Sequence, residues 1–321
     1  MDLSIIIVNW NTKALLVQCL ESLFRKNQNI EMEILVVDNG SIDGSVAAIR
    51  EKFPAVRVIE NQVNLGFARA NNQALSISKG SYLLLLNPDA QVNDEAVFQM
   101  LSFMNTHPQV GVAGAQLLNS DGSKQNAIAN FPSLATELLN KNLLRWLFPE
   151  RFPGKERDYL GPIEVNSVIG ACMIVRREAM EQVGLLDEDY FLFLEETDWC
   201  YRMKKAGWEI YHIPQAEVYH LQCKSADAHK EKAKVEYYRS RYHFFKKNRG
   251  SLQWLVLLIG LMGRLGVELM FTFAACMLTL FGIKRWRRKL SIYAYLAWWH
   301  LRLCPEGMGL RPMQSIADCR L

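Results

Sequence analysis

The chain has no C-x-x-C pair, although it contains seven cysteines: Cys19, Cys172, Cys200, Cys223, Cys276, Cys304 and Cys319. Their number is odd and their spacing irregular. That argues against a disulfide framework and a zinc site, and for free thiols in a reducing compartment. His107, His212, His229, His243 and His300 show no ligand spacing. The opening MDLSIIIVNW lacks a basic n-region and a cleavage site, so it reads as a first strand and not as a signal peptide. No G-x-G-x-x-G follows that strand, which disfavours a dinucleotide-binding domain. The Gly-rich, Lys-bearing first loop expected of a nucleotidyltransferase is missing too. Internal repeats and low-complexity segments are absent.

What is present divides the chain. Its 321 residues are half hydrophobic, enough for one large domain with an appendage or for two domains. Residues 1–222 carry 19 Lys+Arg against 27 Asp+Glu, a net charge of −8; residues 223–321 carry 18 against 6, a net of +12. An acidic front and a basic back imply two environments.

The front alternates strands and helices. LSIIIV (3–8), EILVVD (33–38), VRVIE (56–60) and YLLLL (82–86) are apolar or β-branched runs, the pattern of strands covered on both faces. Helical spacing fills the gaps over KALLVQCLESLFRK, 44–52, 66–78 and about 94–105. Asp43 is expected to cap the second of these. VGVAGAQ continues as a strand. The pattern predicts an open, mostly parallel α/β sheet flanked by helices, of Rossmann-like form. In such sheets ligands bind beyond the carboxyl ends of the strands. Each of the first four exits is polar here: Asn9-Trp10-Asn11, Asp38-Asn39, NQVNLGFARANN and Asn87-Pro88-Asp89. Any one of them reads equally as a turn; four together suggest a site.

These residues carry a resemblance. SIIIVNWN, ILVVDNGSIDGS, NLGFARANNQAL, LLLLNPDA, GACMIVRREAMEQVGLLDEDYFLFLEETDWCYRMKKAGW and VYH occur in the order found in family 2 glycosyltransferases of the GT-A fold. The subgroup that the chain resembles contains the rhamnosyltransferase-like enzymes of bacterial surface polysaccharide assembly. The match spans roughly residues 3–220. It implies a sugar-nucleotide pocket built from Asn9, Asn11, Asp38 and Asn39, whose amides and carboxylate read a pyrimidine edge. Asn39 stands where the family often has a second aspartate, which leaves uracil and thymine both open. Asn64, Gly66, Arg69 and Asn71, on the loop and helix after the third strand, are expected to approach the phosphate or sugar. The family's D-x-D metal motif becomes Asn87-Pro88-Asp89. Asp89 is the implied ligand for Mg²⁺ or Mn²⁺, with Asn87 beside the donor. His220, at the end of AEVYH, is the implied third ligand. Gly170 and Ala171 are small residues expected against the donor sugar.

Glu195, Glu196 and Asp198 cluster where a helix begins after FLFL. Carboxylates in a first turn also suit the helix dipole. The family's second acidic residue at this point is the catalytic base, which maps to Glu196. Glutamate is one methylene longer than the usual aspartate, so Glu195 stays open as an alternative.

Behind this domain, 223–250 reads as a basic helix or linker with interleaved aromatics, and no nucleic-acid-binding fold motif accompanies it. LQWLVLLIGLMG (252–263) and LGVELMFTFAACMLTLFGI (265–283) are apolar runs interrupted by Arg264 and Glu268, with KRWRRK following. The 251–321 region is expected to associate with the cytoplasmic face of a bacterial inner membrane, as a spanning hairpin or as interfacial helices; a packed soluble subdomain is the alternative. The sequence therefore implies an inverting glycosyltransferase that moves a sugar from a UDP- or dTDP-sugar to a lipid-linked saccharide. The other reading is a non-catalytic sugar-nucleotide-binding scaffold of an assembly complex.

Overall fold

The computed structural model describes residues 1–26, 30–93, 95–152, 158–221 and 230–311. Cys223, Cys319, His229 and the expected junction at 222/223 lie outside them. The chain forms two units. The first comprises Met1–Phe131, Lys141–Tyr190 and Leu194–Cys223; the second comprises Pro132–Asn140, Phe191–Phe193 and Lys224–Leu321.

The elements of the first unit, in chain order, are β1 (Leu3–Asn9), α1 (Lys13–Lys26), β2 (Met32–Asp38), α2 (Ser45–Lys52), β3 (Arg57–Glu60), α3 (Phe67–Ile77), β4 (Tyr82–Leu86), β5 (Ala90–Val92), α4 (Ala96–Thr106), β6 (Val110–Leu118) and β7 (Ile128–Ala129). In the second unit lies α5 (Leu134–Leu138). The first unit resumes with α6 (Lys141–Leu147), β8 (Ile163–Glu164), β9 (Ser167–Val168), β10 (Cys172–Arg176), α7 (Arg177–Val183), α8 (Glu195–Lys205) and β11 (Glu209–His220). The second unit ends in α9 (Lys230–Asn248), α10 (Ser251–Leu278) and α11 (Lys284–Leu301).

The main sheet has the order β3-β2-β1-β4-β10-β6-β11-β5, with β8 on β11. Its first four strands are parallel, as the alternation of strand and helix requires. Beyond them the sheet is mixed: β10 runs antiparallel between β4 and β6, and β5 and β8 run antiparallel to β11. Strand residues alternate between two apolar layers because side chains alternate across a pleat. Leu3, Ile5 and Ile7 pack with Leu16, Leu20 and Leu23 of α1 and Met100 of α4. Ile6 and Val8 pack with Ala68 and Ala74 of α3 and Trp199 and Met203 of α8. Gly80 permits the tight entry to β4, since a Cβ there would stand 2.4 Å from the Ser4 backbone nitrogen.

Asp43 does more than the capping expected of it. Its carboxylate accepts from the Ser45 N–H at the start of α2 (3.1 Å) and from the Lys13 N–H at the start of α1 (2.8 Å). One charge thus serves two helix N-termini, where backbone donors lack partners. Residue 44, a glycine at φ 79°, is the cap position itself.

In the second unit, the two expected apolar runs form one 28-residue helix, α10. Arg264 and Glu268 do not break it, because they pair one turn apart at 3.0 Å. Tyr242 of α9 and His300 of α11 hydrogen-bond at 2.9 Å inside this unit. Arg241 of α9 pairs with Glu137 of α5 at 2.5 Å.

Candidate functional site

The sheet's topology gathers the polar exits on one edge. Strands β1, β2, β3, β4, β6 and β11 run one way, so their carboxyl ends share an edge with the start of β10. Asn9, Asp38, the 61–66 loop, Asn87–Asp89, Gly170–Ala171 and His220 all sit there.

At the first two exits, the fully buried Asn9 donates to Asp38 Oδ1 (2.8 Å) and Ser41 Oγ (3.1 Å) and accepts from Thr12 Oγ1 (2.6 Å). Asp38 Oδ2 accepts from the Ser41 N–H at 2.9 Å. Asn11 is exposed, in a left-handed conformation (φ 52°), and its side-chain Oδ1 accepts from the Ile42 N–H at 2.8 Å. Asn9 therefore orients Asp38, and Asn11 displays its amide to solvent.

Asn39 corrects the expectation that it reads the base. Its amide donates to Asn64 Oδ1 (2.8 Å) and the Gly66 carbonyl (3.2 Å), and its oxygen accepts from Asn61 Nδ2 (3.1 Å) and the Leu65 N–H (3.0 Å). All of its hydrogen-bonding capacity is spent on the 61–66 loop. Asn64 also receives the Gly66 N–H at 2.9 Å, so it too shapes that loop. Asn39→Ala is accordingly expected to lower stability by about 1–3 kcal/mol through loss of the hydrogen bonds this buried side chain makes to part-buried partners, read as a loss in urea midpoint. A variant as stable as the parent, yet weak in nucleotide binding, would restore the reading role. Asn71 is likewise drawn away, donating to the Phe67 carbonyl of its own helix at 2.8 Å. Arg69 is committed to Glu188 at 2.9 Å.

The β4 exit is a tight turn, closed by the Ala90 N–H on the Asn87 carbonyl (3.1 Å), with Pro88 at its second position. The Asn87 N–H bonds the Ala171 carbonyl at 2.9 Å, which ties β4 to β10. Burial pushes the Cys19 thiol up, so its proton is kept, and it donates to the Asn87 carbonyl at 3.7 Å. Asp89 is buried, with its Oδ1 3.3 Å from His220 Nε2. Asn87 Nδ2 lies 3.4 Å from the same nitrogen.

Gln125, unnoticed in the sequence, fixes the histidine. Its amide nitrogen donates to the Leu118 carbonyl (3.1 Å) and the His220 carbonyl (2.5 Å), so its oxygen must face His220 Nδ1, 3.0 Å away. That oxygen accepts the Nδ1 proton and leaves Nε2 to face Asp89. A carboxylate oxygen and an imidazole nitrogen side by side are donor atoms of the kind that ligate divalent metals. Asp89 and His220 thus fit a divalent metal, with Gln125 orienting the second ligand. Nothing in the sequence linked Gln125 to a histidine 95 residues away; only the strand order brings them together.

Glu195 and Glu196 open α8 after two consecutive left-handed residues, Phe193 (φ 72°) and Leu194 (φ 69°). Such conformations are costly for side chains of this size and collect at functional sites. Glu195 is buried, and its Oε2 has no hydrogen-bond partner among the described residues. Burial and the neighbouring Glu196 charge raise its pKa well above the carboxylate range. Burial pushes Glu196 up to about 7, against the lowering pull of backbone N–H groups at the helix start. Gly170 lies over this pair: a Cβ there would sit 3.5 Å from Glu196 Cβ.

Asp198, the third carboxylate expected to share in the chemistry, has a bracing partner. It is fully buried and bonded to Arg202 Nε at 3.0 Å, while Arg202 also donates to the Val183 (2.6 Å) and Leu185 (2.7 Å) carbonyls. Asp198 thus braces the first turn of α8 against the turn after α7.

A sheet edge that offers a carboxylate–imidazole pair and a high-pKa carboxylate defines a site for group transfer. The family model for glycosyl transferase family 2 matches residues 4–184, more than half of the chain, and the chain belongs to that family. It is a glycosyltransferase of GT-A fold. N-acetylglucosaminyl-diphospho-decaprenol L-rhamnosyltransferase of Mycobacterium tuberculosis is 29% identical over 244 residues, 70% of this chain and 79% of that protein. A low-salt glycan biosynthesis hexosyltransferase of Haloferax volcanii is 26% identical over 284 residues, 84% of this chain and 85% of that one. Among solved structures, a mannosyltransferase from Pyrobaculum calidifontis in complex with GDP-Man and Mn²⁺ superposes with a TM-score of 0.57 at 16% identity, covering 94% of this chain and 86% of that one.

Proposed function

We propose that the protein transfers a sugar, with inversion, from a UDP- or dTDP-sugar such as dTDP-rhamnose to a lipid-linked saccharide, in cell-surface polysaccharide synthesis at the cytoplasmic face of the inner membrane. The observation that carries this reading is the Asp89–His220 pair, aligned by Gln125 on the same edge as Asp38 and Asn11. The M. tuberculosis relative, named for a rhamnosyl transfer to a decaprenyl-diphosphate-linked sugar, supports the donor and acceptor classes.

Asp38 and Asn11 would hold the base. Asp89 and His220 would hold a divalent cation, whose contribution is to neutralise charge on the leaving diphosphate. An imidazole ligand favours Mn²⁺ over Mg²⁺, which prefers an all-oxygen shell. Glu196 takes the acceptor proton: the acceptor oxygen bonds to the anomeric carbon, the bond from that carbon to the diphosphate oxygen breaks, and the hydroxyl proton passes to the carboxylate. A single displacement inverts the anomeric centre and needs no second carboxylate as nucleophile.

The test is a thermal-shift panel of UDP-, dTDP- and GDP-sugars with and without Mn²⁺. A ligand that binds only the native state raises the melting temperature. A Mn²⁺-dependent shift with a pyrimidine donor, followed by transfer to a polyprenyl-diphosphate sugar, is the expected result. A shift with GDP-sugars alone would reject the donor assignment.

A further inference from the structure

Helix α10 is roughly 42 Å long at 1.5 Å per residue and is the one helix, among the described residues, long and apolar enough to cross a membrane. It carries two apolar faces. Leu257, Leu261, Leu265, Thr272 and Cys276 form a buried stripe, and the helix packs against α9 and α11 within its own unit. A second stripe of Leu255, Ile259, Met262, Met270, Phe273 and Met277 is 44–67% exposed. At 3.6 residues per turn, its centre lies about 120° round the helix from the packed stripe, and Arg264 and Glu268 lie about 160° from it. The charges therefore leave the exposed stripe uninterrupted. Scattered exposed leucines need no explanation, but a continuous apolar face marks an interaction surface.

The turn after α10 continues that surface. Leu280 is 90% exposed, and Phe281 and Ile283 are exposed beside it. Next come Lys284, Arg285, Arg287, Arg288 and Lys289, around Trp286. Trp286 sits edge-on to Phe271 of α10 at 6.0 Å, with the Lys289 ammonium 5.3 Å from its ring centre. An apolar face bordered by a tryptophan and a cationic cluster matches the acyl boundary and phosphates of an anionic leaflet.

We propose that the second unit is a single-leaflet anchor. In it α10 lies in the plane of an anionic membrane, with its 255–277 stripe in the acyl boundary and the 284–289 cations on lipid phosphates. This rests on the membrane attachment proposed above and adds its mode. Crossing is disfavoured by what α10 is packed against. Helix α9 has nineteen residues, of which Lys230, Lys232, Lys234, Arg239, Lys246 and Lys247 are among the cations. A spanning α10 would carry them into hydrocarbon or abandon its buried stripe. A helix with one face committed to protein and the other to lipid lies on the surface.

The test uses the full chain with vesicles of phosphatidylcholine alone and of phosphatidylcholine with phosphatidylglycerol. Sedimentation with the anionic vesicles is expected, falling at least tenfold in the doubly substituted Ile259→Glu/Met270→Glu variant. Arg285→Glu/Arg288→Glu should lose the preference for phosphatidylglycerol. Circular dichroism and donor-induced thermal shift, measured without vesicles, confirm that both variants are folded and score the glycosyltransferase reading separately. Ser251→Cys marks the start of α10 and Lys284→Cys the start of α11 just beyond its end, and an impermeant maleimide added outside the vesicles should label both. One end protected until detergent is added means a span: attachment then holds and the in-plane mode falls. No sedimentation with either vesicle overturns attachment itself. Undiminished vesicle binding by the Ile259→Glu/Met270→Glu variant, with a smaller species on gel filtration, would make the stripe a contact between copies.

Discussion

Glu196→Gln is expected to keep the fold and the donor affinity while lowering turnover by ~10²–10⁴-fold, the range for loss of a general base. The amide preserves shape and burial but cannot take the acceptor proton. The parent should also show turnover rising with pH through about 7, because burial holds the Glu196 proton until then and only the carboxylate accepts another. The substitution should flatten that limb. Stability moves the opposite way. Between the ordinary glutamate value of 4.5 and about 7, the unfolded chain has released a proton that the native state retains. Stability contributed by this group is thus lost as pH rises through that window, and Glu196→Gln should remove part of the slope. Glu195→Gln is expected to cost less turnover, since Glu195 is buried and held protonated. If Glu195→Gln proves the more damaging of the two, the base is Glu195.

Asp89→Ala is expected to abolish Mn²⁺-dependent donor binding and to lower transfer by ~10²-fold or more, given that outer-shell partners alone are worth ~10–100-fold. Asp89 is the carboxylate that faces His220 Nε2, so in the proposed metal site its loss would leave the imidazole without an anionic co-ligand. Asn87→Ala should weaken binding less, because Asn87 brings no charge and its backbone bond to Ala171 survives. Titration of donor affinity against Mn²⁺ separates the two. Full metal-dependent turnover in Asp89→Ala would sink the assignment.

The first four strands and β6 were legible because each is a short, largely apolar or β-branched run; β5 and β7–β11 were not read as strands. β4 begins and ends where YLLLL does, and its exit carries the polar residues that the turn requires. The order of the strands was not legible. β10 enters between β4 and β6 from a point some eighty residues downstream, and no local pattern encodes an antiparallel insertion. The same distance hid Gln125. Asn39 misled for a different reason. Amides and carboxylates that build a site and those that brace it are the same residue types, and only their partners tell them apart. The length of α10 was obscured by Arg264 and Glu268, read as interruptions, although their four-residue spacing is that of a helical ion pair.

The left-handed backbone at Leu194 has a practical consequence for anyone improving this enzyme's heat tolerance. A left-handed conformation costs a β-carbon-bearing residue roughly 1–2 kcal/mol, and glycine or asparagine adopts it more readily. Blind selection for thermal resistance should therefore enrich Leu194→Gly or Leu194→Asn. Such winners would hold Glu195 and Glu196 on a looser tether and so survive longer at temperature while turning over more slowly. Sequencing survivors of a heat-challenge library, then assaying each for transfer, would show whether robustness and speed are opposed at this one position. Survivors at 194 with undiminished rates would mean that the rigidity of the bend contributes nothing to catalysis.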